Sequence, residues 1–514
     1  MELNTHICTQ LMERNQAFAQ ITLDDDYIVR DNKPDVLRVI YTKGDILLED
    51  VKLGNQVVWI TGKLRFDTLY QSDDENRRLD SVSGEIPFQE KLVMDDITEA
   101  DLQNAGEEML VDVTIEDLSV GIINSRKLVI RAVLDIASKR VEEVDVAISC
   151  AVNPELGYEQ KTVEKSMLCL VANKKDLIRV QKELPLPNSR TNIGNILFYQ
   201  VDLRNEELVL QAEQAHLQAD AQVWVLYRSE STGEYECYET MVPISGEIDV
   251  PRIQGDEVFW AKVRPQEVLV EPRSDYDGEA RMIGMELAVE VNLQVYHEDR
   301  CEMLMDAYSL EKELLLDKKP LVMNQLIMKN QSKIRLMEQI QLEANQEKIL
   351  QICGCSGKIT IDKVQKRENG LWVEGFLTVH ILYNTKEDAM PYAHNSNQVP
   401  FEQFVEMEGF TEQSAYWLDE KIEQLQVNLL DNTEYEIKAV IQIGVLGLQR
   451  ETIENVEDVY EEPMDVEALQ KQAGMIGCIR REGEDLWDIA KRYHATEDNI
   501  LEIGDKVLVI KQVK

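Results

Sequence analysis

The chain has 514 residues, with 54 Lys plus Arg against 96 Asp plus Glu, a formal net charge of −42. A field of that sign repels nucleic-acid backbones and bare anionic membrane, both of which are bound through Lys and Arg. At 44% apolar residues the chain is no disordered polymer, and its length suggests about three to four domains.

From the amino end, Met1–Gln20 has neither a basic start nor an apolar stretch of signal-peptide type. A membrane span needs about 20 consecutive apolar residues, and the longest runs, such as Val57–Ile60 and Leu168–Ala172, fall far short. The protein is therefore expected in the cytoplasm, without membrane insertion. Met12–Phe18 is a weak helix candidate, and Asp24-Asp25-Asp26 reads as a solvated loop. An apolar stretch opens at Val36, and Trp59–Tyr70 alternates as a strand ending in Leu-Tyr. A polar turn with Asp73-Asp74-Glu75 leads to Ile86-Pro87-Phe88, a second weak helix candidate spans Leu102–Met109, and Leu128–Ile136 alternates again.

This order recurs. Alternating strands ending in Leu-Tyr come again at Ala221–Tyr227 and Leu371–Tyr383, so that Tyr70, Tyr227 and Tyr383 are 157 and 156 residues apart. Apolar-Pro-apolar triplets follow at Val242-Pro243-Ile244 and Val399-Pro400-Phe401. Val36, Ile193 and Ile349 each stand 34 residues before the tyrosine. Three landmarks in one frame define a repeat. Its length makes each copy a domain with its own core. Met285–Val295 and Glu434–Ile443 alternate like Leu128–Ile136, in the Val-, Ile- and Thr-rich manner of half-buried strands. The expected architecture is mainly β, with three tandem antiparallel, sandwich-like domains at 1–150, 151–307 and 308–450.

Residues 451–467 hold eight acidic residues and no basic one. Mutual repulsion favours an extended linker, assigned to 451–474, with an edge strand around Ile453–Tyr460 as the alternative. Composition then changes: residues 477–514 carry seven basic against eight acidic residues. A short strand precedes Gly483. Asp485 is placed to cap a helix bearing Leu486, Ile489, Ala490 and Tyr493 at helical spacing. Thr496 caps a second helix over Glu497–Glu502, and Val507–Ile510 closes a two-stranded sheet, giving β-α-α-β over 475–514.

Catalytic chemistry finds no foothold. There is no GxxxxGK[ST], no GxGxxG after a strand and no GxSxG. The six histidines show no metal-ligand spacing. The eight scattered cysteines are expected to be reduced and mostly buried. Cys353 and Cys355 are expected on one strand face, in the core. His494, just past a helix, is expected to cap carbonyls. No catalytic residue, metal or cofactor is assigned.

The carboxy-terminal residues Gly483-Glu-Asp-Leu-Trp487, Ile489-Ala490, Arg492-Tyr493, Asn499-Ile-Leu501 and Gly504-Asp-Lys-Val-Leu508 resemble a LysM domain. That family commonly binds N-acetyl sugars of peptidoglycan or chitin between the loop before helix one and the loop after helix two. The resemblance assigns Gly483, Glu484, Asp485, Leu486, Trp487, Ile503 and Gly504 to the ligand face. LysM domains usually carry several more residues before the Gly-Asp turn. Here Glu502-Ile503 runs straight into Gly504-Asp505, which shortens half of a sugar groove and leaves a protein ligand at least as consistent. Trp487 also reads as core by its helical spacing.

Taken whole, three such repeats followed by a LysM domain resemble the clostridial spore-coat morphogenetic proteins with SPOCS repeats. The resemblance rests on Trp224–Tyr227, Val242-Pro-Ile-Ser-Gly246 and Ile349-Leu-Gln-Ile352 among the strands above. It implies a non-enzymatic protein of the mother-cell cytoplasm at the forespore surface. The implied partner of its LysM domain is stage IV sporulation protein A, the polymerising coat ATPase, with other coat proteins nearby. The alternative is a cell-wall protein that binds peptidoglycan.

Overall fold

The computed structural model describes residues 2–54, 56–74, 78–94, 108–153, 157–387, 389–463, 473–481, 483–504 and 506–510. It is 79% strand and 2% helix, so the fold is mainly β as the alternation requires. The first module comprises β1 (Leu3–Ile28), β2 (Val36–Gly54), β3 (Val57–Ser72), β4 (Leu79–Val93), β5 (Glu108–Asn124) and β6 (Lys127–Val152). They form two three-stranded antiparallel sheets, β1-β6-β5 and β2-β3-β4. The second module repeats this with β7 (Glu159–Pro185), β8 (Ile193–Gln211), β9 (Gln214–Ser229), β10 (Tyr235–Asp249), β11 (Val258–Arg273) and β12 (Met282–Tyr308). The third uses β13 (Glu313–Gln341), β14 (Ile349–Arg367), β15 (Gly370–Thr385), β16 (Tyr392–Glu406), β17 (Ala415–Leu429) and β18 (Glu434–Glu462). Within each module the two sheets face one another, β1 against β4 and β2 against β5 in the first. Each pair of sheets encloses its own apolar core.

The equivalence of the modules reaches single hydrogen bonds. The backbone N–H of Val36 donates to Ser125 O, that of Ile193 to Ala280 O and that of Ile349 to Asn432 O, each at 2.8 Å. Bulges interrupt β2, β8 and β14 just after these residues, and again at Val39/Tyr41, Ile196/Phe198 and Ile352/Gly354. Tyr70, Tyr227 and Tyr383 are buried to within 1%. The first two turn their hydroxyls onto Pro34 O and Thr191 O, equivalent carbonyls of the preceding loops.

The modules close into a ring. The second sheets meet edge to neighbour: β4 packs on β8, β10 on β14, and β16 returns to β2. Leu69, Leu226 and Leu382, one position before each repeat tyrosine, enter one shared cluster there. The central strands β6, β12 and β18 of the first sheets also meet pairwise. A buried clamp ties the first module to the third: Ser149 N–H donates to Asn455 Oδ1 at 3.1 Å, and Asn455 Nδ2 donates to Ala147 O at 3.0 Å.

Several sequence expectations are corrected. Met12–Phe18 lies inside β1 rather than a helix, because pairing with β6 satisfies its backbone. Of Leu102–Met109 only the last two residues are described, and they open β5. Asp24-Asp25-Asp26 is strand, with Asp24 and Asp26 paired to Arg131 and Lys127 across the ladder. The acidic stretch is no linker as far as Glu462. It is the end of β18, where Ile453, Val456 and Val459 are buried and strand pairing outweighs like-charge repulsion. Cys8 and Cys169 are joined in a disulfide, their Cα atoms 5.3 Å apart where β1 and β7 pack, a proximity that a separation of 161 residues does not announce. Cys353 and Cys355 are split by the Ile352/Gly354 bulge. Cys353 faces the shared inter-module cluster and Cys355 the third module's core.

Candidate partner-binding site

The carboxy-terminal segment forms a small module of β19 (Met475–Ile479), α1 (Leu486–Tyr493), a 3-10 turn (Glu497–Asn499), β20 (Ile500–Ile503) and β21 (Lys506–Ile510). The expected second helix is therefore a single tight turn. Ile500–Ile503 pairs with β21 instead, and the sheet has three strands, ordered β19-β21-β20. Isoleucines at 500 and 503 favour the ladder over a helix too short to propagate.

Gly483 turns the chain into α1 at φ 82°, a left-handed conformation natural to glycine. Asp485 then caps the helix: Asp488 N–H donates to Asp485 Oδ1 at 2.9 Å, and Asp485 N–H donates to Asp488 Oδ2 at 3.1 Å. The helix closes on His494 at φ 51°, whose N–H reaches Ala490 O and Lys491 O. Thus the His494 backbone makes the cap, while its ring lies 3.3 Å from Ser309 O.

The buried face of α1 carries Trp487, Ile489 and Ala490, which pack with Ile500, Val507 and Val509. That core is completed by Tyr308 at the end of β12. Tyr308 meets Trp487 edge-on at 4.8 Å and donates its hydroxyl to Ala495 O at 2.8 Å. Asp306 accepts from Trp487 Nε1 at 2.8 Å and from Lys491 Nζ at 2.7 Å. Burial pushes the Asp306 carboxyl up, but its bonds from Lys491 and Trp487 prevail and hold it below the ordinary carboxylate range. Lys161 on β7 pairs with Asp485 and holds that carboxyl low as well. The terminal module is thereby seated on the end of the second repeat module.

The seven residues assigned from sequence separate into groups. Gly483 and Gly504 are open turn glycines, with space around the position of a Cβ. Glu484 is turned inward onto Arg492 and the Arg481 N–H. Asp485 serves the helix cap and Lys161. Leu486 is half-buried in the module's core, and Trp487 is 7% exposed, held by Asp306 and Tyr308. Ile503 lies at the end of β20, directly before the turn to Lys506; Asp505 is outside the described residues. Sequence reasoning missed Asp306, Tyr308 and Lys161. The one available signal was Asp306 itself, an acid set in the apolar run Met303–Tyr308.

What the module leaves open is the outer face of its sheet. Met475, Ile479 and Leu501 are 61%, 71% and 51% exposed there. Leu508 and Ile510 lie between them on β21. Among the described residues no cluster of His, Cys, Asp or Glu is arranged to hold a metal ion, and no helix is long and apolar enough to cross a membrane.

Residues 35–123 and 348–430 match the family described as SipL, SPOCS domain. These are equivalent stretches, β2–β5 of the first module and β14–β17 of the third. Over them the chain is similar to SPOCS-domain proteins, in keeping with the spore-coat resemblance of its repeat strands. No curated protein and no solved structure matches the chain.

Proposed function

We propose that this chain is a non-enzymatic scaffold of spore-coat morphogenesis. Its three-module ring is the structural body, and its terminal module docks a protein at the forespore surface on the mother-cell side. The partner proposed is the coat ATPase, stage IV sporulation protein A. The observation that carries the reading is the SPOCS match, which falls on the same strands in two modules of one ring. The terminal module favours protein over sugar as ligand. A saccharide cleft wants an accessible aromatic platform and two loop walls. Here the Trp487 indole is buried against Tyr308 and Asp306, and the second wall is a hairpin turning directly from Ile503 to Lys506. An exposed apolar sheet face is of the kind that a protein covers.

The test is binding of purified full-length chain to immobilised stage IV sporulation protein A, with peptidoglycan sedimentation in parallel. The proposal expects saturable binding to the ATPase, at least tenfold weaker for Leu501→Asp on the exposed sheet face, and no sedimentation. Sedimentation with peptidoglycan that is lost in Asp485→Ala or Leu486→Asp, without binding to the ATPase, overturns it in favour of a cell-wall protein.

A further inference from the structure

The junction between neighbouring second sheets occurs three times in the ring, where β4 meets β8, β10 meets β14 and β16 meets β2. Pairing registers identify the facing positions. Ser81, Cys237 and His394 stand opposite Leu69, Leu226 and Leu382 in their own sheets. The bulges place Ile40, Leu197 and Cys353 at one equivalent position of β2, β8 and β14. The equivalent positions across the three junctions are thus Ser81 and Leu197, Cys237 and Cys353, and His394 and Ile40. Sulfur stands on both sides of one junction alone, between the second and third modules. There Cys237 on β10 and Cys353 on β14 pack against the same apolar cluster. Both are half-buried in the shared cluster, and Trp224 Nε1 donates to Cys353 O, pinning the bulge that presents the sulfur.

We propose that Cys237 and Cys353 are a site of oxidative cross-linking, forming a disulfide that joins the second module to the third. With a small-molecule disulfide such as oxidised glutathione, one cysteine thiolate attacks a glutathione sulfur and expels one glutathione thiolate. The second cysteine, on losing its proton, attacks the protein sulfur of that mixed disulfide and expels the other. Two protein thiols lose two electrons, one glutathione disulfide becomes two glutathiones, and these take up the two protons released. The neighbouring Cys353 and burial raise the Cys237 thiol above its ordinary range, which lowers its thiolate fraction at neutral pH. Together with Cys8–Cys169, which cross-links the first module to the second, the bond ties the second module to the third by a further cross-link.

The test is incubation of the full chain with oxidised glutathione, alkylation, tryptic digestion without reductant and mass spectrometry. The expected product is peptide 229–252 linked to peptide 349–358 with the loss of two hydrogens. It should vanish on reduction, persist in Cys355→Ser and be absent in Cys353→Ser. Recovery of a Cys353–Cys355 bond, of glutathione adducts alone, or of Cys237 and Cys353 both alkylated would overturn the proposal, and the wild-type readout does not depend on how any variant folds.

Discussion

Replacing Asp306 by Ala should loosen the terminal module without disturbing the ring. The carboxylate accepts from Trp487 Nε1 at 2.8 Å and from Lys491 Nζ at 2.7 Å. A hydrogen bond to a charged group contributes about 1.5–3 kcal/mol. The Lys491 ammonium is 39% exposed, so solvent reduces its ion pair to about 0–1 kcal/mol. The sum is about 2 kcal/mol, which corresponds to about a 30-fold change in an opening equilibrium. Because Tyr308 belongs to the same core as Trp487, Ile489 and Val509, loss of the seat also loosens α1. Hydrogen exchange of the α1 amides should therefore accelerate about 30-fold, while β15 in the third module stays as protected as before. Unchanged exchange in α1, or an equal increase in β15, would refute the reasoning. The Asp306 carboxyl is held below its unfolded value, so its contribution is complete above about pH 4 and is lost as pH falls through the folded-state value. In the wild-type chain α1 should accordingly lose protection on acidification, and Asp306→Ala should remove that dependence.

Three further outcomes follow from the packing. Gly375 has Phe401 opposite it on β16, and a Cβ there would lie 3.0 Å from the ring and 2.4 Å from Thr360 O; Gly375→Ala should cost about 2 kcal/mol in urea unfolding. The second module carries Ala219 opposite Ile244 at this place, so adding Phe401→Ile should recover the part due to the ring but not the part due to the Thr360 carbonyl. Asn455→Ala strands the buried Ser149 N–H, while the Ala147 C=O can turn to water, and should cost about 2 kcal/mol in the same assay. Burial, with His380 beside it, pushes His394 down to about 3. The unfolded chain then gains a proton below about pH 6.5 that the folded chain refuses, so stability falls with pH. Between pH 7 and pH 5 this amounts to about 1–2 kcal/mol, which His394→Gln should abolish.

The sequence carried the repeat because its landmarks have local causes. Val36, Ile193 and Ile349 recur since each buries its side chain in the core of its own module, and the tyrosines recur since each fills the same buried slot. Alternation along β3, β9 and β15 revealed the strands directly. Two features were hidden for physical reasons. Periodicity assumes an unbroken pleat, so the Ile352/Gly354 bulge that separates Cys353 from Cys355 leaves no trace in residue spacing. Charge counting assumes a solvated segment and so favours a linker over 451–474, whereas the alternative, an edge strand around Ile453–Tyr460, is what Glu451–Glu462 forms, paired with β13. In the terminal module the helix and its cap were legible at Asp485. The seat on Asp306 and Tyr308 was not, because nothing in the spacing of one module announces the surface of another.

Closure of the ring is tested most directly at the junction farthest apart in sequence, where β16 returns to β2. Arg38 Nη2 donates there to Tyr392 O at 3.0 Å, and Tyr41 stacks on His394 at 4.4 Å. Substituting Ile40→Cys and His394→Cys together places thiols at the positions that Cys237 and Cys353 hold at their own junction. Under mild oxidation a closed ring yields an intramolecular 40–394 cross-link in monomeric protein, mapped by mass spectrometry. Free thiols at both positions, or cross-links found only between two copies of the chain, would show that the modules form an open string.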